Sequence, residues 1–179
     1  MHLKTIVPLI GFGAASVLSS SALANQHEWW AVNCKTSKCL QATAEAGKVI
    51  VSECQLGTLA QEWEVMPAEG VDREVATEGT IESFGIPGNC LAVVNNQVMT
   101  KACHNQQWQF PALRAVPPSN RVGQIKPLVT TKPKPDQCLT VEGDDKVLLA
   151  DCQTAPTASQ SWYWVNVGSR NFCPSSCQK

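Results

Sequence analysis

Three stretches of the chain repeat one pattern of apolar and polar positions. Each opens on Cys-Leu, continues as a short alternating or apolar run, breaks at a turn-rich tip, and resumes as a β-rich run into a second cysteine. In the first stretch Cys39-Leu40-Gln41 leads to Lys48-Val49-Ile50-Val51, Cys54 and Gln61-Glu62-Trp63. In the second, Cys90-Leu91-Ala92 leads to Gln97-Val98-Met99, Cys103 and Gln106-Gln107-Trp108. In the third, Cys138-Leu139-Thr140 leads to Lys146-Val147-Leu148-Leu149, Cys152 and Gln160-Ser161-Trp162. The tips are Ala46-Gly47, Asn95-Asn96 and Gly143-Asp144-Asp145, so each unit predicts a hairpin with a disulfide across its strands. Stretches such as Glu28 to Val32 and Trp162 to Val167 supply the remaining strands, about four per repeat.

No stretch sustains a helical period. The prolines of Pro117-Pro118 and of Lys132-Pro133-Lys134-Pro135 block long helices. These connectors lie between repeats rather than between domains, because the repeat starts stay 51 and 48 residues apart across them. The cysteines within each repeat are separated by 15, 13 and 14 positions, and that regularity gives the three Gln-x-Trp triplets their weight.

The first 24 residues read as a cleaved secretory leader: Lys4, an apolar run from Ile6 to Leu18 too short to span a bilayer, and an Ala22-Leu23-Ala24 exit. The remaining 155 residues suffice for one domain. With 13 basic and 15 acidic residues they show neither a nucleic-acid footprint nor a preference for strongly anionic ligands. All nine cysteines follow the leader, which with export points to disulfides formed in an oxidising compartment. A metal site is disfavoured, since no Cys-x-x-Cys pair occurs and Cys173-x-x-x-Cys177 has no matching second half.

Three Cys-Leu…Cys…Gln-x-Trp units in about 150 residues resemble the ricin B-type lectin family, over nearly the whole mature chain. The resemblance implies an all-β fold, a β-trefoil of three pseudo-symmetric four-stranded repeats at about 28–70, 78–115 and 122–167 within a single domain 25–179. Six strands would close a barrel and six would form a triangular cap. It further implies that Trp63, Trp108 and Trp162 are core residues and that Gln61, Gln106 and Gln160 satisfy backbone groups beneath the loops. The repeat disulfides would be Cys39 with Cys54, Cys90 with Cys103 and Cys138 with Cys152. Cys34, Cys173 and Cys177 remain. A staple from Cys34 to one of the two tail cysteines is favoured over the rival, Cys173 with Cys177 and Cys34 free.

The same resemblance implies where sugar would bind: an Asp two residues after the first cysteine, an aromatic platform two before the second, and an Asn preceding the Gln-x-Trp. Here those positions hold Gln41, Ala92 and Thr140; Ser52, Lys101 and Ala150; and Ala60, Asn105 and Ser159. Repeat two keeps the most, so Asn95, Asn96, Asn105 and Gln106 are its candidate contacts. In His27-Glu28-Trp29-Trp30 adjacent side chains on a strand face opposite ways, and an outward Trp30 would offer a stacking surface for a sugar or a partner. Catalysis finds no support: His27 and His104 are the only mature histidines, no hydrolase, metalloprotease or phosphate-loop motif occurs, and Glu62, Glu64, Asp144 and Asp145 read as solvated carboxylates. No cofactor or membrane span is expected. Two functions follow as expectations: a secreted lectin that binds a glycan or glycoprotein as the cell-binding component of a toxin or adhesin, or a trefoil without sugar binding that partners a catalytic toxin subunit.

Overall fold

The computed structural model describes residues 28–45, 47–104, 106–113, 122–128, 136–167 and 177. The expected leader, His27, Asn105, Cys173 and both proline-rich connectors lie outside the described residues. Within them each repeat contributes four strands. Repeat one supplies β1 (Trp29–Asn33), β2 (Cys39–Ala42), β3 (Val49–Ser52) and β4 (Trp63–Met66). Repeat two supplies β5 (Glu78–Ser83), β6 (Asn89–Val94), β7 (Gln97–Ala102) and β8 (Trp108–Gln109). Repeat three supplies β9 (Lys126–Pro127), β10 (Gln137–Glu142), β11 (Lys146–Asp151) and β12 (Trp162–Asn166).

The first and last strands of each repeat form a closed ring. β1 pairs antiparallel with β12 from Trp29 opposite Asn166 to Asn33 opposite Trp162. Pairing then runs from β1 to β4, β5, β8 and β9, and a bridge between Gly123 and Trp162 returns it to β12. The two middle strands of each repeat form the hairpins β2–β3, β6–β7 and β10–β11, which make the cap. This is a β-trefoil. Closure suits the sequence, because a ring leaves no open edge for strands this short.

One contact joins barrel to cap three times. Trp63, Trp108 and Trp162 open the last barrel strand of their repeats and are fully buried. Each indole Nε1 donates to the carbonyl of the leucine that follows the first repeat cysteine: Leu40 at 2.9 Å, Leu91 at 2.8 Å and Leu139 at 2.8 Å. Around them pack Val49, Val51, Val98, Val147 and Leu149, the inward positions of the cap hairpins. Four disulfides join described residues: Cys39–Cys54, Cys90–Cys103, Cys138–Cys152 and Cys34–Cys177. The last ties the first strand to the tail across 143 positions, and so selects Cys177 as the partner of Cys34.

Two expectations are corrected here. Trp30 does face away from the barrel interior, opposite Trp29, but that face is covered: Trp30 packs with Val32, Tyr163 and Val165 beside the Cys34–Cys177 bridge and is buried. Strand alternation fixes which way an indole points; the neighbouring β12 and the tail bridge decide whether it meets solvent, and a buried ring offers no sugar platform. Glu62 is likewise not a solvated carboxylate. It lies at the bend into β4, where its carbonyl accepts from the Phe84 amide, and it is 2% exposed. Burial, with the charge of Glu28 adding to it, raises the Glu62 carboxyl above the usual glutamate range.

Three outcomes are expected from equilibrium denaturation. Trp108→Phe keeps most of the packing but strands the Leu91 carbonyl, and should cost about 1–3 kcal/mol; Trp108→Ala should cost about 3–5 kcal/mol. Because the raised pKa of Glu62 means its protonated form is favoured by folding, its contribution is present at acid pH and lost as pH rises through the folded value. Glu62→Gln should therefore raise stability at neutral pH, with the gain shrinking as the pH falls through the raised folded value and gone below the ordinary glutamate range. Cys34→Ser with Cys177→Ser, which opens the longest loop, should lower stability by up to about 5 kcal/mol on loop entropy.

Candidate functional site

The glutamines of Gln-x-Trp build the ground on which any site must stand. In repeat three Gln160 is buried at the end of a 3₁₀ turn, Ala158–Gln160. Its Oε1 accepts from the Gln153 amide at 2.9 Å, and its Nε2 donates to the Asp151 carbonyl at 2.9 Å and to Thr140 Oγ1 at 3.2 Å. The turn is thereby clamped against the β10–β11 hairpin. Between them lies a shallow depression of about 490 Å³. Thr140, Ala150 and Ser159 all line it, and these are the three positions at which the lectin resemblance places sugar contacts.

Its chemistry is aliphatic below and polar around. Leu148 and Ala150, both half-buried, supply the apolar ground. Ser159 Oγ and Thr157 Oγ1 share a hydrogen bond of 2.9 Å at one rim. At the other, Lys35 Nζ donates to the Gly143 carbonyl at 3.4 Å, and Glu142 forms an exposed ion pair with Lys146. Thr140 contributes less than its position suggests: its hydroxyl donates to the Cys138 carbonyl at 2.9 Å while accepting from Gln160.

Repeat one has the same turn, Leu59–Gln61, and the same clamp, with Gln61 Oε1 accepting from the Gln55 amide and Nε2 donating to the Glu53 carbonyl, both at 2.8 Å. There, however, Gln41, Ser52 and Gln61 bond to one another, so the polar groups at the family positions are already satisfied.

Repeat two differs from both. Only two residues separate Cys103 from Gln106, against six between Cys54 and Gln61 and seven between Cys152 and Gln160. There half-buried Gln106 accepts from the Val93 amide at 2.9 Å. Of the repeat-two candidates, Gln106 is turned to the backbone and Asn105 lies outside the described residues. Asn95 and Asn96 form the β6–β7 turn with φ of 50° and 65°, the left-handed geometry of tight hairpins. Both are exposed, and Asn96 lines a second depression, at the centre of the cap. The sequence candidates thus fall in separate places, while Lys35, Thr157 and Ser159 went unnoticed as a group. The signal for repeat three was available in the Cys-to-Gln spacing.

One cluster among the described residues has metal-ligand chemistry, Glu82 with Cys90 and Cys103, but both sulfurs belong to a disulfide. No helix among them is long and apolar enough to cross a membrane.

No protein-family model matches the sequence, and no curated protein matches it significantly. Solved structures do match the fold. The β-trefoil lectin of the Vibrio vulnificus hemolysin/cytolysin, with N-acetyl-D-lactosamine bound, aligns with a TM-score of 0.56 at 14% identity, over 78% of this chain and 94% of that one. SeviL bound to asialo-GM1 saccharide aligns with a TM-score of 0.55 at 13% identity, over 78% of this chain and 97% of that one. A GlcNAcα1-4Gal-releasing endo-β-galactosidase from Clostridium perfringens gives 0.55 at 13% identity, over 78% of this chain but 32% of the enzyme. At these identities the likeness is one of fold: the chain is a β-trefoil whose structural neighbours include lectins.

Proposed function

We propose that the protein is a secreted, non-catalytic carbohydrate-binding trefoil whose glycan site is the depression of repeat three. The observation that carries this reading is the Gln160 clamp, which gathers Thr140, Ala150 and Ser159 around one concavity. A pyranose would rest its C–H face on Leu148 and Ala150 and exchange hydrogen bonds with Ser159, Lys35 and the Gly143 carbonyl. With aliphatic side chains in place of an aromatic platform, affinity for a single sugar is weak. The lectin neighbours, one with N-acetyl-D-lactosamine and one with asialo-GM1 saccharide, support the ligand class. Four disulfides and the leader-like first residues support an extracellular setting.

A broad glycan array of the oxidised protein tests the reading. Binding to at least one glycan class is expected, and Ala150→Arg, which fills the depression, should weaken it by about tenfold or more with the melting temperature unchanged. Failure of every glycan class at high protein concentration overturns the proposal.

A second reading has its own observation. In repeat one the polar groups are mutually satisfied, and Leu56 and Leu59 protrude beside them, 71% and 54% exposed. Such a face fits a protein partner, such as the catalytic subunit of a toxin or secreted enzyme complex. A partner held from the native secretome by the parent protein and lost with Leu56→Asp and Leu59→Asp would favour it; retention of the same partner by the variant would dismiss it.

A further inference from the structure

The three cap hairpins meet around the pseudo-threefold axis, and their symmetry is broken there. Val51 donates its amide to the Asp145 carbonyl at 2.9 Å, joining repeat one to repeat three, and Thr100 donates to the Gly47 carbonyl at 2.6 Å, joining repeat two to repeat one. The third equivalent, from Leu149 to Asn96, is not made, and no strand pairing joins β7 to β11 among the described residues. The hairpins also differ in length. The β6–β7 hairpin turns on Asn95-Asn96 alone and has the shortest cysteine interval, 13 positions. Meanwhile Gly47, with φ of 73°, lets the repeat-one tip press against Thr100, where an added Cβ would meet the Thr100 carbonyl oxygen at 2.5 Å. The cap is therefore hydrogen-bonded along two seams, while β7 and β11 meet along the third without that bond, around a depression of about 570 Å³ on the axis, within the range of small-ligand sites.

Its lining departs from what strand alternation would place on an outward face. Ile50, Met99 and Leu148 occupy the equivalent outward position in all three hairpins, four residues before the second cysteine, and all three are aliphatic and half-buried. Around this floor stand Glu45, Asp145, Asn96 and Gln97, with Lys48 and Lys146. Among the described residues the carboxylates of Glu45 and Asp145 form no ion pair or hydrogen bond, so they stand available as acceptors. Leu148 lines this depression and the repeat-three site alike, and the Lys146–Glu142 ion pair spans their boundary, one partner in each.

We infer that the axis depression is an extension of the repeat-three site, so that the ligand is a neutral oligosaccharide that crosses Leu148 and sets its further residues on Ile50 and Met99, with hydroxyls donating to Glu45 and Asp145. This rests on the carbohydrate reading above. Opposite charges at the rim leave no net attraction for an anionic glycan, whereas free carboxylates and amides beside an aliphatic floor match the hydroxyls and C–H face of a pyranose. It also gives a weak single-sugar site the means to reach useful affinity through a longer contact.

The test uses the oxidised mature protein, titrated with galactose, N-acetyl-D-lactosamine and the asialo-GM1 saccharide, with 13C-methyl methionine NMR as a second readout. Affinity should rise with saccharide length, and the Met99 methyl signal should shift with the longer ligands while Met66 stays still. Glu45→Gln with Asp145→Asn should remove the gain from length, about tenfold or more, and leave galactose affinity unchanged. If length brings a gain that this variant keeps, or Met99 does not respond, the extension is overturned and the repeat-three reading stands. If Ala150→Arg leaves all binding intact while the double variant abolishes it, the repeat-three site is wrong and the axis stands alone. Binding of none of the three saccharides overturns the inference.

Discussion

The hydrogen bond from each buried indole to the leucine carbonyl of its own repeat is the constraint on which the other contacts depend. The indole belongs to the barrel and the carbonyl to the cap, so the bond fixes the distance between the two layers three times over. Replacing an indole by any other large apolar side chain would fill space yet leave a buried carbonyl unsatisfied, at about 1–3 kcal/mol each. The leucine side chains beneath are fully buried as well, so each Cys-Leu couples a covalent link on one residue to a core contact on the next.

The glutamines extend the same logic outward with less symmetry. Where the chain between the second cysteine and Gln-x-Trp is long enough to make a 3₁₀ turn, the glutamine braces it, and a concavity can form above. Where it is short, the amide is spent on a strand. In repeat three the braced turn borders a hollow although the chain there has neither the family's carboxylate nor its aromatic ring.

Much of this was legible from the chain alone, for physical reasons. Three Gln-x-Trp triplets at matched distances demand equivalent environments, so the repeated hairpins and their disulfides could be anticipated from spacing, and the barrel and cap from the family resemblance those units carry. Trp30 was misread because periodicity gives the direction of a side chain but not what another strand lays over it. Glu62 was misread for a related reason: carboxylates are usually solvated, and nothing near it in sequence announces that Glu28 and the barrel bend close around it. The missing hydrogen bond between β7 and β11 was invisible, since pairing between hairpins of different repeats depends on how far each tip reaches. Differences of one or two residues in hairpin length only acquire meaning once all three are folded together.

The bridge between Cys34 and Cys177 also sets how the molecule bears load. A pull applied to the two ends travels through the first strand, across the sulfur atoms and out by the tail, because that route is covalent and short. Everything between Cys34 and Cys177, which includes both depressions, hangs as a side loop that carries no tension. A pull between the two ends would thus strip β1 before it distorted either depression.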